Sequence, residues 1–333
     1  MAQRITMAHG DGGEQAHQLI QDLFVNPFEH HKEAALDAAI FTLPQGKIAM
    51  STDSFVVNPI FFPDGNIGKL AVAGTVNDLA VSGAKPVYLT CGFIIEEGFL
   101  ISDLKKIVAS MVEEARKNGV RIVAGDTKVV ERNKCDGLYI NTTGIGVIEE
   151  KNTLQYDFKV GDAVLVNGNI GDHGIAILTA RGELGLMNDV KSDCASLFDL
   201  IHTLQSAGIT MRIMRDATRG GLATTLVEIC EDFKVTMELD EDDIPVDDRV
   251  HGACELLGYE PMYLANEGKC IFVVPKEQCE KALEIMKKHP LGQNASQIGE
   301  VIDTENGKLL LKTVFGSSRR LNRLSGMLLP RIC

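Results

Sequence analysis

No run in this 333-residue sequence approaches the roughly 18 consecutive apolar residues that a membrane-spanning helix needs. The first residues, MAQRITMAHGDGG, carry no apolar stretch after Arg4, so they do not read as a signal peptide. Positive charge is also short. Lys and Arg number 33 against 46 Asp and Glu, a net charge of −13 whose field repels nucleic acid and anionic membranes. Neither is expected as a partner. The eight cysteines form no C-x-x-C pair and no Cys/His spacing suited to zinc. Without an export signal they are expected as reduced thiols of a cytoplasmic protein, most of them buried as small hydrophobes. Neither G-x-x-x-x-G-K-[ST] nor G-x-G-x-x-G occurs, so a nucleotide would be held by neither a P-loop nor a Rossmann turn.

What is present is a folded composition, 45% hydrophobic and 24% charged, in a chain long enough for two domains. The first half alternates strands (47–57, 86–95, 120–126, 138–148) with helices at 67–84 and 102–119. In the latter, Leu104, Ile107, Val108, Met111, Val112 and Ala115 recur at three- and four-residue steps, with Ser102 as expected N-cap and Gly119 as stop. The apolar pattern breaks at EEKNTLQYDFKVGD (149–162), where a domain boundary is expected. The second half repeats the plan with strands at 163–168, 209–214, 235–240 and 269–275 and two more near 295–302 and 308–314. Its helices are expected from Asp172 and at 196–208, 221–233, 248–258 and 277–289. The expected class is α/β (α+β) in two units, 1–152 and 153–315, followed by a basic tail, 316–333, expected to be mobile.

Aspartates interrupt segments that should be at least half buried: Asp11 in HGDGG, Asp53 in MSTDSFVV, Asp78 in TVNDLAVSG, Asp126 in VAGDTKVV and Asp216 in MRDATRGGLA. Each alone reads as a turn or cap, but together, without matching buried Lys or Arg, they fit a cation. Magnesium takes oxygen ligands and shares them with phosphates, so a metal–nucleotide site is one reading. Glycines in GDGG and at the strand-to-helix turn of RDATRGGLATTL could offer N–H groups to phosphates. Lys128 could meet a phosphate or an oxyanion, or be a plain strand lysine; Glu267 in LANEGK reads by itself as a loop carboxylate. The last residue, Cys333, is a thiol at a chain end, where its own α-carboxylate disfavours the thiolate and Arg331 would offset that effect.

The segments STDSFVV, NIGKLAVAGTVNDLAVSGA, VAGDTKVV, NTTGIG, GDHGIAI and DATRGGLATTL resemble the AIR synthetase-like (PurM-like) ATP-binding superfamily. With MAHGDGG at the start and PRIC at the end, the chain resembles the hydrogenase maturation family HypE over nearly its whole length. The resemblance implies an N-terminal α/β domain whose strands pair across a homodimer to form a barrel, and a C-terminal α/β domain, with ATP between them. It implies carbamoylation of Cys333 by a partner carbamoyltransferase, HypF. ATP-dependent dehydration to a carbamoyl-derived thiocyanate would follow, with cyanide passed on at a HypC–HypD complex for the iron of [NiFe] hydrogenase. By the same resemblance Asp53, Asp78, Asp126 and Asp216 are expected around magnesium. Asp11, Gly12, Gly13, Asn77, Thr218, Gly220 and Gly221 are expected to join those four around ATP. Glu267, as base, and Lys128 are expected near the carboxamide on Cys333. The chemistry suits these residue types: phosphorylation turns an amide oxygen into a leaving group, and a base then takes protons from nitrogen. From residue 316 an extended tail could span about 60 Å, enough to visit two active sites. Its basic residues Arg319, Arg320, Arg323 and Arg331 would dock near phosphates, and Pro330 would stiffen the end.

Two rivals remain on the sequence. Selenophosphate synthetases carry a reactive cysteine in the early glycine-rich segment, whereas the first cysteine here is Cys91; AIR synthetase and thiamine-phosphate kinase relatives need no thiol such as Cys333. From another class, a nucleotide-sensing scaffold would bind ATP without consuming it in step with any modification of Cys333.

Overall fold

The computed structural model describes residues 3–31, 38–182, 189–326 and 332–333. Pro330, expected to stiffen the chain end, and Arg331, expected to dock near phosphates, lie outside them.

Four long strands form the first sheet: β1 (Lys47–Phe55), β2 (Lys85–Glu96), β3 (Arg121–Val130) and β4 (Leu138–Ile148), in the order β1-β4-β2-β3. β1 and β2 both run antiparallel to β4, while β2 and β3 are parallel. One face is covered by two helices, α1 (Ile67–Val81) and α2 (Ile101–Lys117). α2 is amphipathic as its spacing predicts, burying Leu104, Ile107, Val108, Met111 and Ala115. Its cap differs from expectation. The N-cap is Leu100 with no side-chain bond, and Ser102 already lies inside the helix. α1 is buried nearly all round, because it packs on the sheet, on α2 and on elements of the second half. Asn66 caps it, accepting from the N–H groups of Gly68 and Lys69. A Cβ at Gly68 would lie 2.4 Å from the Ile107 carbonyl oxygen, so only glycine allows this helix contact.

The second sheet has seven strands: β5 (Ala163–Val166), β6 (Ile213–Asp216), β7 (Thr236–Asp240), β8 (Cys270–Val274), β9 (Ser296–Asp303), β10 (Leu309–Lys312) and β11 (Ser318–Leu321). Their order is β11-β10-β7-β9-β5-β8-β6. The helices here are α3 (Asp172–Arg181), α4 (Phe198–Ser206), α5 (Gly221–Phe233), α6 (Asp248–Leu257) and α7 (Cys279–Lys288). Residues 153–162 are pinned to this half by buried Arg212, which donates to Asp162 (2.9 Å), Asp157 (2.6 Å) and Gln155 (2.7 Å).

β11 corrects one expectation. Residues 318–321 were assigned to a mobile tail, yet they pair antiparallel with β10. Two of the arginines expected to dock near phosphates are held in ion pairs on this side of the molecule instead: Arg319 in β11 pairs with Glu260, and Arg323 just after it with Glu231. Ile332, after the undescribed stretch, is 6% exposed within the apolar cluster that also holds α1, α2, Ile175 and Leu264, with Cys333 packed against it.

Candidate active site

Three of the aspartates singled out by sequence share one electric field. Asp53 stands on β1, Asp78 near the end of α1 and Asp216 at the end of β6, so two sheets and the helix between them converge here. Ser51 donates to Asp78 at 2.5 Å. Burial, then the charge of Asp216, raise the Asp78 pKa to about 7; Ser51 opposes this and Asp53 adds to it. Burial lifts Asp216 to about 6, with its own backbone bond and Arg215 opposing and Asp53 adding. Beside them opens a cleft of about 320 Å³ lined by Asp78, Asp216, Thr218 and Arg219. Thr218 and Arg219 begin the turn that leads through Gly220 and Gly221 into α5. Gly220 and Gly221 have φ of +81° and +66°, and a Cβ on Gly221 would lie 2.5 Å from the Met262 carbonyl oxygen. The helix starts with no side-chain cap. Free N–H groups at such an end attract an anion.

Glu267 is delivered to this field from the loop before β8 by two residues that the sequence reading passed over. Asn266, fully buried, donates to the carbonyl oxygens of Ala217 and Leu264 and accepts from the N–H of Gly171, so the Glu267 loop is tied to the loop after Asp216. Asp193 accepts from the N–H groups of Glu267 and Gly268 and is ion-paired with Lys269 at 3.0 Å. The Glu267 side chain, 3% exposed, keeps Oε1 without a hydrogen-bond partner among the described residues. Burial, then Asp193, Asp216 and Asp53, hold its pKa well above the ordinary carboxylate range, with Arg219 opposing. A buried carboxyl of this kind is poised to exchange a proton.

Cys333 lies in the same field. An oxygen of its α-carboxylate accepts from the N–H of Val56 at 3.0 Å, and the Ile332 carbonyl oxygen lies 2.7 Å from His173 Nε2. Burial pushes the thiol up to about 12, Glu267 and Asp53 add to this, and Arg219 opposes. Among the described residues, the cation that opposes this rise is Arg219, from the DATRGG segment; Arg331 lies outside them.

The structure does not bring every expected residue here. Asp53, Thr142, Cys91 and Gly125 are successive partners across the first sheet, so Asp126 stands three strand spacings, about 14 Å, from Asp53. Exposed on edge strand β3, Asp126 is ion-paired with Lys128 at 2.8 Å, which holds its pKa below the usual value. Within one chain, neither residue joins the Asp53 group. Asp11 is exposed and accepts from the N–H of Gly13, in a turn where Gly12 has φ of +81°; Gly10 of this segment packs on Val129 of β3. Asn77 is buried, with Oδ1 accepting from the Leu197 N–H and Nδ2 donating to the Ala195 carbonyl oxygen. It ties α1 to the 195–197 loop and does not face the cleft as a free ligand. Among the described residues, no three His, Cys, Asp or Glu side chains form a ready-made metal cage. The donor set suits magnesium nonetheless: the charges of Asp216 and Asp53 disfavour that of Asp78, Asp53 disfavours that of Asp216, and magnesium draws its remaining ligands from water and substrate phosphates.

Two mixed sheets with helices between them, and acids converging on an uncapped helix end, define the class. The AIR synthase related protein families match here, the N-terminal domain over residues 35–148 and the C-terminal domain over 159–312. The chain is also 48% identical to carbamoyl dehydratase HypE of Cupriavidus necator, covering 99% of this chain and 95% of that one. A crystal structure of the hydrogenase maturation protein HypE in complex with ATP superposes with a TM-score of 0.92 at 45% identity, covering 98% of this chain and 99% of that one. A HypE–HypF complex structure matches with a TM-score of 0.80 at 48% identity, over 92% and 99%. The chain belongs to the HypE family of carbamoyl dehydratases and is an enzyme.

Proposed function

We propose that this protein converts an S-carboxamide on Cys333 to an S-cyanide at the expense of ATP, as a step in [NiFe] hydrogenase maturation. The observation that carries the reading is the seating of Cys333 in the field of Glu267, Asp53 and Arg219, the last from the turn that leads into α5. A solved HypE holds ATP, which supports ATP as the co-substrate here. ATP supplies a phosphoryl group that makes the carboxamide oxygen a leaving group. Asp53, Asp78 and Asp216 would hold magnesium, while Thr218, Gly220 and Gly221 would face phosphate oxygens. Arg219 offsets charge that grows on oxygen, and Glu267 accepts a proton from nitrogen as the C≡N bond forms and phosphate departs. Atoms balance as S-carboxamide plus ATP giving S-cyanide, ADP and phosphate.

Solved HypE–HypF contact supports a HypF-type carbamoyltransferase as the donor. A HypC–HypD type complex would take the cyanide, and the whole sequence belongs in the cytoplasm. Ile48 and Met50, 59% and 70% exposed on β1, suit burial in a homodimer. In that dimer Asp126 and Lys128 on edge strand β3, with Gly10 of the HGDGG segment packed on Val129, would be brought against a second copy.

The experiment is intact-protein mass spectrometry, with fragments mapped to the C-terminus, after incubation with the carbamoyltransferase, carbamoyl phosphate and ATP. Gain of a carbamoyl group on Cys333, then loss of the elements of water only with hydrolysable ATP, is expected. Cys333→Ala should bind ATP and show neither step. ATP consumption with Cys333 unmodified would overturn the reading.

A further inference from the structure

His173 is completely buried in the first turn of α3, and nothing in the proposed chemistry uses it. Its surroundings are specific. Nε2 lies 2.7 Å from the Ile332 carbonyl oxygen, and Nδ1 lies 2.8 Å from Ser192 Oγ. A carbonyl oxygen only accepts, so Nε2 must carry the proton. In the neutral ring Nδ1 then accepts from the Ser192 hydroxyl, whose oxygen in turn accepts from the Cys194 N–H at 3.0 Å. The Ser192 N–H donates to the Pro63 carbonyl oxygen, and Phe62 meets the imidazole edge-on at 5.5 Å. Serine, backbone and phenyl ring thus fix both tautomer and orientation.

We propose that His173 is the positioning residue that clamps the end of the chain for dehydration, and that Ser192 holds it in the donating tautomer. This rests on the reading of Cys333 as the modified residue. His173 holds the carbonyl before Cys333, and the Val56 N–H holds an oxygen of the Cys333 α-carboxylate. With the oxygens on both sides of Cys333 fixed and Ile332 buried, rotation about the Cα–Cβ bond is the main freedom left to Sγ. Reacting groups gain rate when such freedom is removed in advance. Burial, opposed by the charge of Asp193 and by the Ile332 bond, holds the imidazole pKa below its ordinary value, so the clamp stays neutral. A neutral donor grips one carbonyl firmly enough to orient it, yet lets the tail leave for a partner's active site.

The test compares full-length wild type with His173→Leu, His173→Gln and Ser192→Ala. Three rates are read: alkylation of Cys333 by iodoacetamide without partners, carbamoylation by the carbamoyltransferase, and single-turnover dehydration of the carbamoylated protein. For His173→Leu, alkylation should rise about tenfold and dehydration fall at least about tenfold, the scale of one lost hydrogen bond. Carbamoylation should hold or rise, because the tail is freed. Gln, whose amide reaches the Nε2 position, should restore most of the dehydration, and Ser192→Ala should fall between wild type and Leu. Unchanged alkylation and dehydration in His173→Leu would overturn the clamp. So would a parallel loss of carbamoylation, dehydration and melting temperature in all three variants, which marks a role in folding alone. If wild type takes up carbamoyl but never dehydrates it, the proposed function fails, while the alkylation contrast still decides the clamp.

Discussion

Asp193 accepts the backbone N–H of Glu267 at 3.0 Å while its carboxylate pairs with Lys269, also at 3.0 Å. One buried acid thus sets the path of the loop that presents the candidate base. Asp193→Ala should lose dehydration and about 3–5 kcal/mol of stability, since Lys269 is left buried without its partner. Asp193→Asn keeps an acceptor and should lose less of both. Urea unfolding alongside single-turnover rates would separate the two effects.

Glu267 must be ionised to take a proton, and burial holds its pKa well above that of an ordinary carboxylic acid. The dehydration rate of precarbamoylated protein should therefore rise with pH, through a limb displaced upward from the usual carboxylate range. Glu267→Gln should abolish this step and leave carbamoylation and ATP binding in place. A rate that is flat across the acidic range in wild type would remove Glu267 as the base.

Asp172 opens α3 in a half-buried position. Burial raises its pKa to about 7; Lys269 opposes this, Asp193 and Asp247 add to it, and Arg249 opposes. With the folded pKa above the unfolded one, stability from this group is full below about pH 4 and is lost as pH rises through about 7. Asp172→Asn should therefore stabilise the protein at pH 8 by roughly 1–2 kcal/mol after allowance for solvent screening. It should also flatten the melting profile between pH 5 and about 8.

Arg212 and Asp162 form a buried pair that binds residues 153–162 to the second sheet. Arg212→Met should cost about 3–5 kcal/mol, because the Asp162 carboxylate remains buried without compensation. Replacing both partners by apolar residues should cost much less. Denaturant midpoints for the single and double variants give the comparison.

Much of the fold was legible because the signals were local. The three- and four-residue apolar steps of α2, the glycine turn into α5 and the β-branched content of β5 and β8 each depend on near neighbours in the chain. β11 was missed because SRRL has no apolar alternation; its order comes from pairing with β10 and from Glu260 and Glu231. In the site, Asp53, Asp78, Asp216 and Glu267 were legible as costly acids or by resemblance. Asn266 and Asp193 were not, since their partners lie as far as 95 and 76 residues away. Arg219 and His173 stood inside quoted motifs, DATRGG and GDHGIAI, where a charged residue among glycines and a histidine at a helix start were the available signals.

The sequence by itself determined where most strands and helices form, and it marked Asp78 and Asp216 as acids that would be costly to bury. Those follow from side-chain chemistry and spacing along the chain. Only the tertiary structure decided that Asp53, Asp78 and Asp216 feel one another while Asp126 answers to Lys128, and that Cys333 is seated between Val56 and His173. Electrostatic and hydrogen-bond energies depend on distance and burial in space, and the residues concerned come from opposite ends of the chain.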